Sequence, residues 1–278
     1  WLGTHALDIG AMSVFLYCFR EREAILDLYE AVSGQRMMSS YFRVGGLASD
    51  LPPGFEEAVK AFLKTFPDRL AEYEALLTAN PLWRQRTVGI GTIKREDAIA
   101  LGLTGPGLRA CGVAYDVRRA HPYSSYERYS FDIPLGKTGD VYDRYLVRMA
   151  EMRQSHRIAG QALERLMPGP VNVADPKLIP PPKPLLKRSM EALIHHFKLY
   201  AEGFSVPAGE VYQAIEAPKG ELGCYLVSDG SPRPYRVHFR APSFVNLQAL
   251  PKMVEGRLVA DVVAVIGSLD IVLGEIDR

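Results

Sequence analysis

Two groups of residues in this 278-residue chain carry side chains with acid–base potential. The first is Thr4, Asp8, Met12, Phe15 and Phe19, spaced at steps of four, four, three and four. On a helix those steps put all five on one stripe. Asp8 would then stand among large apolar and aromatic neighbours, where a carboxylate is costly unless it is paired or protonated. The plain alternative is an aspartate that bonds a nearby backbone group or arginine. The second group is the chain end, residues 261–278 (DVVAVIGSLDIVLGEIDR), in which a Gly-Ser break separates two apolar runs. Asp270, Glu275, Asp277 and Arg278 punctuate the second run. Most chain ends are polar and frayed. This one reads as inserted into the protein, where a buried carboxylate needs a partner or a proton; the alternative is an ordinary core helix with a solvated tip.

Other chemistries find less support. The formal charge is +1 with acidic and basic residues interspersed, which argues against a nucleic-acid partner held by backbone electrostatics. Cys18, Cys111 and Cys224 lie far apart, with no Cys-x-x-Cys pair to hold zinc or an iron–sulfur cluster. That scattering suits a reducing compartment. His195 and His196 are adjacent, not at the i, i+4 spacing of a helical metal site. The Gly45-Gly46 pair lacks both the Walker lysine and the Rossmann glycine spacing, so no NAD site is expected here. No apolar run approaches the ~20 residues that cross a bilayer, and no signal segment opens the chain. Starting at Trp1 inside a helical pattern, the chain reads as a fragment or processed form.

The elements that must position these residues follow from periodicity and punctuation. The spacing predicts a helix over 4–19, continuing through the mixed charges at 20–23, with Leu2, Ile9 and Leu16 as a second stripe facing a bundle. A further segment over 24–33 ends at Gly34 as a C-cap. Residues 41–47 read as a glycine-rich turn. Pro52-Pro-Gly54 turns the chain into a long amphipathic helix over 55–77, interrupted at Pro67 and closed by Asn80-Pro81. A short helix over 94–101 precedes the glycine-dense loop 103–112, which carries Arg109. Residues 122–136 read as an extended aromatic hairpin or loop. Asp140 is an N-cap for a helix reaching Leu163, with Val141, Tyr145, Met149, Met152, Ala159 and Leu163 as its apolar face. Pro168-Gly-Pro170 stops it, 179–184 is a polyproline-like connector, and 189–200 is helical. Three alternating segments, 210–216, 220–230 and 234–240, predict a small antiparallel sheet, and 242–250 leads to the terminal helix. The fold class is α+β, predominantly α, in one domain over 1–278 that is N-terminally incomplete. It is helical over 1–205, with a sheet over about 208–241 and a terminal helix and tail over 250–278. At 47% hydrophobic content the chain can bury a sizeable core.

Six ordered blocks carry a family resemblance. They are GTHALDIGA (3–11) with FLYCFRERE (15–23); LGLTGPGLRACG (101–112); FDIP (131–134) with GDVYDR (139–144); RMAEMRQS (148–155); ELGCYLVSDG (221–230) with RAPSF (240–244); and SLDIVLGEIDR (268–278). Together they resemble the D-type, or 49 kDa-type, subunit family of respiratory complex I, the proton-translocating NADH–quinone oxidoreductase. The resemblance implies a helical core like that of nickel–iron hydrogenase large subunits. Here the tail from Asp270 to Arg278 stands where those enzymes place their terminal Cys-x-x-Cys pair, so a metal-free cavity is reused for quinone as substrate.

It further implies that Asp8 is catalytic, pairing with a histidine beside the quinone head. Thr4, Met12, Phe15, Phe19, Asp270, Val272 and Glu275 would be quinone-binding, and Arg278 would lie at the subunit boundary near a cluster. The family's histidine and tyrosine contacts to the quinone head are expected upstream of Trp1. Implied partners in complex I are the B-type subunit, which carries an iron–sulfur cluster, the C-type subunit and the H-type subunit of the membrane arm, with NAD bound elsewhere in the complex. The implied location is the cytoplasmic side of the bacterial inner membrane, peripherally attached. A competing expectation is a non-catalytic scaffold subunit of a hydrogenase-like, membrane-associated redox complex. Asp8 on an aromatic stripe and the acidic, apolar tail favour the quinone reading, and a nickel–iron enzyme is excluded by cysteine count and spacing.

Overall fold

A computed structural model describes residues 1–277. It opens with α1 (Leu2–Asp8) and α2 (Met12–Ser33), where the spacing predicts one continuous helix. The break falls at Gly10, whose φ of +103° is open to glycine and strained for other residues. Leu16, expected to face the bundle, is consequently 59% exposed. Helix α2 ends as expected at Gly34, a left-handed cap whose N–H bonds the Glu30 carbonyl. A turn at Val44-Gly45 joins a two-stranded hairpin, β1 (Phe42–Arg43) and β2 (Gly46–Leu47).

Helix α3 (Phe55–Leu77) runs unbroken through Pro67, against the expected interruption. Proline removes the N–H that would bond the Leu63 carbonyl. The imidazole of His156 takes that place, donating from Nε2 to Leu63 O at 2.7 Å, so the acceptor keeps a partner. Asn80 then closes α3 and opens α4 (Pro81–Thr87), its side-chain oxygen accepting the N–H groups of Leu82 and Trp83.

Short helices α5 (Arg95–Ala100), α6 (Pro106–Arg109) and α7 (Val117–Ala120) follow. Residues 122–136 are a loop with one 3-10 turn, the second of the two expected forms. Asp140 caps the long α8 (Val141–Glu164) by accepting the Asp143 N–H. Beyond it lie α9 (Lys183–Leu186) and α10 (Met190–Ala201). The predicted sheet comprises β3 (Gly209–Ala217), β4 (Gly220–Ser228) and β5 (Arg236–Arg240), antiparallel in that order, with Tyr212 opposite Tyr225 opposite His238. The chain finishes with α11 (Pro242–Leu247), α12 (Leu250–Val254), α13 (Val259–Leu269) and α14 (Leu273–Ile276). The fold is α+β and predominantly helical, with its larger sheet near the C-terminus, as expected.

Two apolar clusters meet on α8. Val141 belongs to the first with Leu103, Leu108, Met253, Val265 and Leu269. Tyr145 and Met149 belong to the second with Leu2, Val14, Leu70, Leu77 and Trp83. The predicted apolar face of α8 therefore holds from Val141 to Met152, which packs against the second cluster, while Ala159 is exposed and Leu163 half-buried. Because the first cluster takes in α13 and the second α1, α8 ties the two chemically suggestive segments into one body.

Candidate functional site

The turn at Gly10 folds α1 back onto α2. The helices approach so closely that a Cβ on Gly3 would stand 3.2 Å from Cys18 Cβ and 3.3 Å from Phe15 Cα, a contact open only to glycine without displacement. The predicted stripe is thereby split. Thr4 lies on α1, exposed, its hydroxyl donating to the Trp1 carbonyl at 3.0 Å. Phe15 and Phe19 lie on α2, half-buried, with ring centroids 4.2 Å apart.

Asp8, expected among apolar neighbours, is the exposed last residue of α1, because the chain turns away immediately after it. A carboxylate at a helix C-terminus faces the negative end of the dipole, and Asp8 has no ion-pair partner among the described residues. Met12 is 62% exposed.

Thr4 and Phe19 border one cavity of about 770 Å³, whose apolar wall includes Met37, Met38, Phe66 and Tyr73. Arg22 and Arg36 stand on its rim. The Arg22 guanidinium lies 5.2 Å from the Phe19 ring centroid, and Arg36 pairs with Glu23. Asp8, Met12 and Phe15 are not among the residues lining this cavity.

The other chemically suggestive segment is bolted to α1. The Trp1 indole donates to the Gly267 carbonyl at 2.9 Å, and His5 Nε2 donates to Ala264 O at 3.1 Å. Gly267 is obligatory at this crossing, since a Cβ there would stand 2.6 Å from His5 Cδ2. Burial, aided by the nearby Arg148 charge, pushes the His5 imidazole down to about 3. It is therefore neutral and serves as a fixed donor.

The turn after α13 rests on two buried arginines of α8. Arg144 donates to Ser268 Oγ at 2.8 Å, to Gly139 O at 2.8 Å and to Gly91 O at 3.0 Å. Arg148 donates to Ser268 O at 2.6 Å and lies over the Trp1 ring at 4.6 Å. Burial lowers both guanidinium pKa values, that of Arg144 to about 10, so Arg144 stays cationic at neutral pH. Arg148 is offset by the carbonyl end of α13, the negative pole of its dipole, and by the nearby Asp270 and Glu151 carboxylates.

From that root the tail runs outward. Asp270 adopts the left-handed conformation at φ +57° and pairs with Lys219 at 3.3 Å. The Val272 N–H donates to Ser243 Oγ, and the Ser243 N–H to Glu275 Oε2, both at 3.3 Å. The side chain of Val272 is 45% exposed and Glu275 is half-buried. Arg278 lies outside the described residues.

A charged cluster that sequence reasoning missed sits beside the tail root. Arg109, 2% exposed, donates to Glu151 at 2.5 Å and to Glu216 at 2.7 Å. Arg118 forks onto Asp116 at 3.0 and 2.6 Å. Burial pushes the Glu216 carboxyl up despite Arg109. Burial works the same way on Asp116, but there the Arg118 fork prevails and holds the carboxyl below its ordinary value. With Arg148 and Asp270, Arg109, Glu151 and Glu216 line a second cavity of about 370 Å³, and Trp1, Leu2 and Met152 border both cavities. A hint was available in the sequence: Arg109 interrupts an otherwise small and apolar stretch, and such an arginine must be buried with partners.

An apolar chamber beside a charged one suits an uncharged ring-and-chain ligand whose polar end exchanges protons. Among the described residues no three His, Cys, Asp or Glu side chains converge as metal ligands, and no described helix is long and apolar enough to cross a membrane.

Comparison with known proteins identifies the family. The family described as "Respiratory-chain NADH dehydrogenase, 49 Kd subunit" matches residues 8–278. The chain is 66% identical over its whole length to a D-type NADH-quinone oxidoreductase subunit of Chloroflexus aurantiacus, the second of that type in name, covering 68% of that protein. It is 61% identical to the D-type subunit of Geotalea uraniireducens and 59% identical to that of Geobacter sulfurreducens, covering 71% of each. Relatives named for one oxidoreductase subunit and a family match over nearly every residue lead to one statement: the chain belongs to the respiratory-chain NADH dehydrogenase 49 kDa subunit family.

Proposed function

We propose that this chain shapes the cavity in which a NADH–quinone oxidoreductase of the complex I type reduces quinone. The observation that carries the reading is the junction of α1 with the tail root through Trp1–Gly267 and His5–Ala264. It sets the apolar chamber of Thr4 and Phe19 beside the tail that begins at Asp270. The names of the relatives support the same reading over that of a scaffold subunit.

Electrons would arrive from an iron–sulfur cluster in a partner chain of the B type. The C-type and H-type partners complete the surroundings, NAD binds elsewhere in the complex, and the assembly attaches this chain peripherally to the cytoplasmic face of the bacterial inner membrane. Quinone takes up two electrons and two protons. The protein's part is to exclude water and orient the ring, with Thr4 and Phe19 in the apolar chamber and Asp270 in the charged one; Asp8, Met12, Phe15, Val272 and Glu275, outside both chambers, would reach the ligand only where the assembled complex encloses them. Asp8, exposed and without an ion-pair partner among the described residues, is set to hold the imidazole of a histidine beside the quinone head in its charged form.

Asp8→Asn is nearly isosteric and removes only that charge. In membranes carrying the assembled complex, quinone reduction should fall about tenfold or more, as expected when a charged partner of a proton donor is lost, while the amount of the chain in the membrane holds. Wild-type quinone reductase rates in this variant would refute the assignment of Asp8.

A further inference from the structure

The course of the tail is set by residues that lie outside it. At the root the bonds are short: Arg144 to Ser268 Oγ at 2.8 Å and Arg148 to Ser268 O at 2.6 Å. Two residues on, Asp270 leaves the helix in the left-handed region, which aspartate tolerates better than most residues. Its carboxylate meets Lys219 Nζ at 3.3 Å.

Lys219 belongs to the turn between β3 and β4, and that turn is jammed in place. A Cβ on Gly105 would stand 2.5 Å from Gly220 Cα, and one on Gly220 would stand 2.5 Å from Thr104 Oγ1. Asn246, 2% exposed, clamps the same two segments, accepting the Thr104 N–H at 3.2 Å and donating to Lys219 O at 2.9 Å. The cation is thus presented to Asp270 from a rigid hairpin.

Farther out, Ser243 holds the tail with both of its polar groups. Its hydroxyl accepts the Val272 N–H and its own N–H donates to Glu275, each at 3.3 Å. Ser243 is 1% exposed, which leaves that hydroxyl little else to bond. The contacts at the root are shorter than the outer ones to Asp270, Val272 and Glu275, each at 3.3 Å.

We infer that Lys219 and Ser243 are positioning residues for quinone reduction, fixing where Asp270, Val272 and Glu275 stand in the cavity wall. The inference rests on the reading above that the tail lines that cavity. Neither side chain touches the reacting atoms; each acts through the tail.

The test uses assembled complex in its membranes, with a short-chain ubiquinone analogue as the probe and a hydrophilic artificial acceptor of NADH electrons as the control. Lys219→Met and Ser243→Ala should raise the quinone KM about three- to tenfold with kcat changed less than about twofold, the pattern of lost binding geometry, and should leave the artificial-acceptor rate unchanged. Lys219→Arg should restore the KM, since it keeps the cation. In a double-mutant cycle Lys219→Met and Asp270→Asn should be non-additive, because both break the same contact. Unchanged quinone KM in both single variants would overturn the inference. So would a loss of the chain from the membrane that matches the loss of activity and is not rescued by Lys219→Arg. Deletion of residues 275–278 separates the two claims. If that deletion shifts quinone kinetics while Lys219→Met and Ser243→Ala do not, the positioning role alone fails; if the deletion too is silent, the cavity reading itself fails.

Discussion

At the scale of single residues, the site is organised by polar groups buried with carbonyl partners. Arg144 and Arg148 have no carboxylate within ion-pair distance among the described residues, yet each meets backbone oxygens, and helix α13 ends on them. His5 is the clearest case with a measurable consequence. Its folded pKa is about 3 against an ordinary value of 6.5, owing first to burial and then to Arg148. The sign follows from proton counting: between those two values the unfolded chain binds a proton that the folded chain refuses. The contribution is therefore fully present above pH 6.5 and is lost as the pH falls toward 3, at up to about 1.4 kcal/mol per unit. Denaturant unfolding of the protein from about pH 7 down to about pH 5 should show stability falling less steeply in His5→Gln than in the wild type. Equal slopes would mean that His5 protonates freely in the folded state.

At the scale of elements, helix α3 shows how a neighbour overrules a local rule. Proline in a helix interior costs ~3 kcal/mol or more, and the sequence accordingly predicts a break at Pro67. The helix survives because it is long, because Leu70, Tyr73 and Leu77 are buried on one face, and because His156 of α8 bonds the Leu63 carbonyl. His156→Ala should cost about 1 kcal/mol, the net worth of one hydrogen bond. In a Pro67→Ala background, where the backbone again supplies the N–H, that cost should shrink toward zero. Thermal unfolding of the four proteins of this cycle checks the coupling, and strict additivity would contradict it.

The same logic separates what was legible in the sequence from what was not. Caps and stops such as Gly34, Asn80 and Asp140 act within one turn and were readable, as was the alternation that forms β3, β4 and β5. The Pro67 outcome depended on a residue 89 positions away. The break at Gly10 was written locally but was masked by an apolar periodicity that matched one long helix.

At the scale of the whole molecule, helix α8 joins two cores, and with them α1 and α13. The sequence singled out both ends, Thr4 to Phe19 and Asp270 onward, and the fold brings their roots together through Trp1, His5 and Gly267. It did not indicate which tail contacts would hold, because Lys219, Ser243, Arg144 and Arg148 lie far from the tail in sequence, and periodicity places a residue on a face without naming its distant partner. It also placed Asp8 in an apolar setting, whereas the charge stands exposed beside the turn, facing away from the chain's own core.

The measurement that tests the central claim most directly is photolabelling of the assembled complex with a quinone analogue bearing a photoreactive group on its ring, followed by mapping of the labelled peptides. Labels are expected within residues 4–19 and 270–277, displaced by excess quinone and weakened in the Asp8→Asn variant. Displaceable labels confined to other parts of this chain, for instance the apolar face of α10 or the open sheet, would contradict it.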